Sequence, residues 1–133
     1  MKQERLVLSG WCCMAVLAFG CNSGREVEVT GQVTAPSTLA VGDKLVLQII
    51  DVTTEGETRH AEVVDTAELA KLGGFERTVD LEGDRAIVRV IDDRDGDGKC
   101  TAGEAWAESE AGIASDKLEG VSLMLAVTPC PVG

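Results

Sequence analysis

The chain has 133 residues, with 23 acidic against 12 basic side chains and a formal net charge of −11. That length suits one domain with its own core, and so acidic a surface argues against nucleic acid or an anionic membrane face as a charge-driven partner while agreeing with divalent cations. Two Trp, two Phe and no Tyr leave too few rings for a sugar-stacking platform.

Lys2 and Arg5 form a basic start, and Leu6 to Phe19 is mostly apolar but too short to cross a bilayer as a helix. The run ends in Leu17-Ala18-Phe19-Gly20-Cys21, which resembles a bacterial lipoprotein signal. The resemblance implies that residues 1–20 are removed, that Cys21 becomes the lipidated N-terminus, and that the protein is anchored in the cell envelope. Asn22, in place of an Asp retention signal, points to the outer membrane of a Gram-negative cell. Several acyl chains on one residue anchor firmly where a single chain is marginal. Ordinary secretion, or a plain buried or membrane helix, are the rival readings. Residues 21–25 read as a polar tether and residues 26–133 as a single domain.

The domain reads as short strands. Glu26 to Thr34 alternates, with Val27, Val29 and Val33 on one face, and Gly31 interrupts it as a bulge would. Turns follow at Pro36-Ser37-Thr38 and Val41-Gly42-Asp43. Lys44 to Asp51 is a second strand with Leu45, Leu47 and Ile49 together, and Thr53 to Thr58 is a hairpin-like connection. Arg59 to Asp65 is a weaker strand, and Thr66 to Leu72 reads as a helical turn or as more strand, ended by Gly73-Gly74. Phe75 to Leu81 points Phe75, Val79 and Leu81 inward, with Arg77 on the same face. After a turn at Glu82-Gly83-Asp84, Arg85 to Ile91 is a strong strand.

That strand runs into Asp93-Arg94-Asp95-Gly96-Asp97-Gly98-Lys99-Cys100-Thr101-Ala102-Gly103-Glu104. Acidic residues hold its first, third, fifth and twelfth places, and Gly98 holds the sixth. Calcium takes six to eight oxygens at roughly 2.4 Å, and alternate side chains of a tight loop can converge on one such ion. This spacing resembles an EF-hand-type calcium loop, a likeness confined to the loop. It implies ligation by Asp93, Asp95 and Asp97, by the carbonyl of Lys99, by Thr101 directly or through water, and by two oxygens of Glu104. Cys100 stands at the eighth place, where such loops carry a branched apolar residue, and Ala105 follows Glu104 where a bulky one is usual. The rival is an acidic, Gly-rich surface turn that holds no ion.

Beyond the loop, Ala105 to Glu108 is ambiguous between helix and strand, with Trp106 expected as a core plug over the loop. Val121 to Thr128 is the clearest strand, with Val121, Leu123, Leu125 and Val127 inward, and Pro129 and Pro131 end it. About seven strands at roughly ten-residue spacing predict an all-β antiparallel sandwich, immunoglobulin-like or transthyretin-like. No strong helix separates the strands as a parallel βαβ fold requires.

Cys12 and Cys13 leave with the signal and Cys21 takes lipid, so Cys100 and Cys130 remain as an even pair in an oxidising compartment. They predict a Cys100–Cys130 disulfide enclosing about 30 residues, which the chain-entropy view values at about 3–4 kcal/mol. Two buried free thiols are the rival. No second Cys or His lies at zinc-ligand spacing.

The signal, Val29 to Thr34, a Pro, and the strand Gly42 to Asp51 together resemble the start of small β-sandwich lipoproteins of the pilotin type. That resemblance implies a factor assisting assembly of a secretion apparatus through a protein partner in the envelope. Catalysis has little to stand on. His60, the one histidine, lies on a weak strand without a nucleophile motif, and no Gly-rich loop cradles phosphate. The expected function is a non-catalytic, membrane-anchored lipoprotein with a structural calcium loop at residues 93–104, acting as an envelope binding or scaffold module. The alternative is a pilotin-like assembly factor in which the acidic loop is incidental.

Overall fold

β-branched and leucine side chains at every second position bury one face of the strands Arg25–Thr34, Leu45–Glu55 and Arg85–Asp92, and that period sets the architecture. The structure, a computed structural model, describes residues 24–131. The expected signal at residues 1–20 and the expected lipidation site at Cys21 lie outside the described residues. Eight strands follow in chain order: β1 (Arg25–Thr34), β2 (Leu45–Glu55), β3 (Thr58–Leu69), β4 (Gly73–Leu81), β5 (Arg85–Asp92), β6 (Ala105–Gly112), β7 (Lys117–Met124) and β8 (Ala126–Val127). There is no helix among the described residues, so the helical readings of Thr66 to Leu72 and of the segment after Glu104 give way to strand.

Two sheets form the sandwich, one ordered β4-β1-β7 and the other β3-β2-β5-β6-β8. All neighbours are antiparallel except β1 and β7. The β1–β7 register shifts between Val29 and Gly31. A Cβ at position 31 would overlap the carbonyl oxygen of Val121, so the close approach of the two backbones there requires glycine.

Val27, Val29, Val33, Val79, Leu81, Val121 and Leu123 from the smaller sheet meet Leu45, Leu47, Ile49, Val88 and Val90 from the larger. Each fully buried side chain of this kind contributes about 1.5–3 kcal/mol by removing apolar surface from water. Ile50, Val52 and Ile87 form a separate cluster. They stand on the outer face of the larger sheet, because β2 presents Leu45, Leu47 and Ile49 to the core and alternates.

β3 departs from simple alternation, and the sequence expectations for the last strand and for Trp106 change. β3 has a register shift opposite Ile49 and Ile50, where Val64 is the extra residue. Val63 therefore pairs with Ile50 on the outer face, while Asp65, Ala67 and Leu69 pair with Ile49, Leu47 and Leu45 on the inner one. A bulge inverts side-chain parity partway along the strand, so simple alternation fails there. The last strand begins at Lys117 rather than Val121 and stops at Met124. Leu125, fully buried, carries the chain across, and β8 joins the other sheet beside β6. Val127, expected inward, is exposed. Trp106 pairs with Ile91 on the outer face and does not plug the core. Its indole N–H donates to the Thr128 carbonyl at 3.2 Å and holds the tail.

Candidate metal centre

β5 delivers the chain to the acidic loop at one end of the sandwich. Ala86, Val88 and Val90 face the core, and Asp92 continues that parity opposite Leu45. Asp92 is buried, and its Oδ2 accepts from the Gly42 amide at 3.1 Å and from Arg94 Nε at 3.2 Å. Arg94 also donates to the Ala40 carbonyl, and the Asp93 amide donates to the Lys44 carbonyl at 3.2 Å. The base of the loop is thus tied to the β1–β2 connection by a carboxylate–guanidinium pair and backbone bonds.

Within the loop, Asp93 is 4% exposed. Its Oδ2 accepts from the Gly98 amide at 2.8 Å, the bond that closes the first six residues. Gly98 adopts φ 75°, in the left-handed region that favours glycine. Asp95 Oδ1 accepts from the Asp97 amide at 3.3 Å, and Asp97 Oδ1 accepts from the Lys99 amide at 2.9 Å. These local turns swing the three side chains to one side, and Asp93, Asp95 and Asp97 each offer an oxygen within 4.8 Å of the others. The Thr101 hydroxyl donates to Asp95 Oδ2 at 2.8 Å and approaches Asp97 Oδ2 at 3.5 Å, so the ninth place also belongs to the group.

Glu104, 5% exposed, is placed differently from the expected two-oxygen clasp. Its Oε1 accepts from the Thr101 amide at 2.8 Å, and its Oε2 accepts from the Arg94 and Asp95 amides at 2.8 and 3.2 Å. It holds the two ends of the loop together through backbone donors. Lys99 enters through its amide, and its side chain is exposed. The Gln48 amide reaches the Gly98 carbonyl at 3.4 Å from the outer face of the sheet.

The hydrogen bonds around Asp95 favour its ionised form. The Thr101 hydroxyl bond and the Asp97 amide push Asp95 down to about 2, so it is charged at neutral pH. Asp93 Oδ1 is buried without a hydrogen-bond partner, as is Asp92 Oδ1. A buried carboxylate oxygen without a donor costs free energy unless a cation meets it. The donor set is all oxygen, which suits calcium or magnesium and not zinc. These residues fit a hard divalent ion, with Asp93, Asp95 and Asp97 as its carboxylates and Thr101 beside them.

Cys100 is bonded to Cys130, with Cα atoms 5.7 Å apart. Sequence reasoning passed over Asp92, the ties from Arg94 to the β1–β2 connection, and Gln48. For Asp92 a signal existed: the inward parity of Ala86, Val88 and Val90 falls next on this carboxylate.

No protein-family model matches the chain, and no curated protein matches it. Among solved structures it is similar to an alternative pilotin from the type II secretion system of Vibrio cholerae, at 14% identity over 76% of this chain and 96% of that one. The TM-score is 0.36, a likeness too loose to assign either fold or function.

Proposed function

We propose that this chain is a non-catalytic, lipid-anchored module of the cell envelope in which residues 93–104 hold a structural calcium ion. The observation that carries the metal site is Asp93: a buried carboxylate with one unpartnered oxygen, in a group whose three members converge within 4.8 Å. The anchor rests on the lipoprotein-like signal ending at Cys21. Extracellular calcium modules bind at about 10⁻⁴–10⁻³ M, a structural rather than signalling regime. At calcium tenfold above the dissociation constant, binding adds about 1.4 kcal/mol of stability. For a domain of this size that is a rise of several degrees in Tm. Thermal unfolding with and without millimolar calcium tests it, and Asp93→Ala should abolish the rise. A rise that survives this substitution would put the ion elsewhere.

A second reading, a pilotin-like assembly factor, is favoured by β3. This 12-residue edge strand is exposed or half-buried throughout, and it leaves backbone donors and acceptors for an extended partner. A Tm indifferent to calcium would leave this reading ahead.

A further inference from the structure

We propose that the Cys100–Cys130 cystine regulates the calcium loop: reduction weakens calcium binding, and bound calcium protects the cystine from a dithiol reductant. This rests on the calcium reading above.

Cys100 lies inside the loop, between Lys99 and Thr101, and Thr101 in turn holds Asp95. Cys130 lies in a tail whose position is set independently of the loop. Leu125 is fully buried and its amide donates to the Thr34 carbonyl at 2.9 Å, β8 pairs with β6, and Thr128 accepts from Trp106. The cystine therefore ties the distal half of the loop to a fixed point of the sandwich. The proximal half is held by other means, through Asp92, Arg94 and the Lys44 carbonyl. Among the described residues, the hydrogen bond that ties the segment Asp95 to Thr101 to the sandwich is a single long one, from Gln48 to the Gly98 carbonyl at 3.4 Å. Its remaining hydrogen bonds are internal to the loop.

Carboxylates within 4.8 Å of one another repel, so the metal-free loop gains by spreading. Calcium must reverse that spreading and the entropy that goes with it. The cystine limits how far the distal half can move, which lowers the ordering cost of binding. Reduction by a dithiol passes two electrons and two protons to Cys100 and Cys130, leaves two thiols and oxidises the reductant to its own disulfide. The tether is then gone. Linkage makes the effect reciprocal: the factor by which reduction weakens calcium is the factor by which calcium shifts the thiol–disulfide equilibrium.

The test uses the full chain carrying Cys12→Ser, Cys13→Ser and Cys21→Ser, so that one redox pair remains. Calorimetric titration of calcium should give a dissociation constant about tenfold tighter for the oxidised chain than for its Cys100→Ser/Cys130→Ser derivative. Equilibration against a dithiothreitol redox buffer should show calcium lowering the reduction potential by about 30 mV, which is that tenfold factor for two electrons. This second measurement does not need the serine variant to fold. Asp93→Ala should erase the calcium dependence of the potential. If the oxidised chain binds calcium, but affinity and potential are each independent of the other state, the coupling is overturned and the metal site stands. If the oxidised chain takes up no calcium, both fall.

Discussion

At the scale of single residues, buried carboxylates do much of the organising at both ends of β5, and each is anchored by amide or guanidinium donors. Asp92 and Asp93 anchor the loop, and Asp51 does the same for the β4–β5 turn. Asp51, 5% exposed, accepts from the Glu82 and Gly83 amides at 2.8 and 3.0 Å. Asp51→Ala leaves both donors short of partners, and Gly83 is itself buried. The expected cost is about 1–3 kcal/mol, read as a lower urea midpoint with an unchanged m-value. An unchanged midpoint would show that water takes over both bonds. The convergence of Asp93, Asp95 and Asp97 was legible because it depends on local turns within a dozen residues. The partners of Glu104 were not, because spacing alone does not say whether a terminal carboxylate meets an ion or the amides behind it.

At the scale of elements, β1 is the strand on which the smaller sheet depends, since it lies between β4 and β7. Gly31→Ala places a methyl against the Val121 carbonyl, and overpacking of this kind costs about 1–3 kcal/mol. Hydrogen exchange should quicken most in β7, on the far side of the contact; uniform protection would mean that the strand pair accommodates a Cβ. On the larger sheet, Glu110 of β6 bonds Arg59 of β3 at 2.6 Å and Arg85 of β5 at 2.9 Å. The bond to Arg59 passes over β2 and β5, across the outer face that carries Ile50, Val52 and Ile87. These bonds, that from Arg59 first and that from Arg85 next, hold the Glu110 carboxyl below its ordinary value of 4.5. A carboxylate depressed on folding stabilises the fold above its unfolded value, and that stability is lost as pH falls through the lower folded one. The Tm of Glu110→Gln should therefore lie slightly below that of the parent at pH 7 and merge with it in strong acid. Both arginines are about half exposed, so the gap is small. A gap that persists in strong acid would assign the effect to packing instead of charge. β6 resisted assignment from sequence because its inward residues are Ala105, Ala107 and Ala111, which give little hydrophobic contrast with their neighbours.

At the scale of the whole molecule, the last crossing of the backbone between the two sheets turns on one buried side chain. Leu125 sits where the backbone leaves the smaller sheet after β7 and enters the larger as β8. Leu125→Ala should cost about 2–5 kcal/mol in urea unfolding, as for other large-to-small core changes. A loss below about 1 kcal/mol would show that the crossing is held by backbone pairing alone. By itself the sequence determined what local chemistry can: period-two burial along β1, β2 and β5, the aspartate spacing of the loop, and, on the reading that Cys12 and Cys13 belong to a signal and Cys21 to a lipid anchor, one candidate cystine pair. Only the tertiary structure decided the parity change at Val64, the change of sheet at Leu125, the outward Trp106 and the donors around Asp51, Asp92 and Glu104. Each of these depends on which backbone lies opposite, and period-two patterning marks a buried face without naming the strand that covers it.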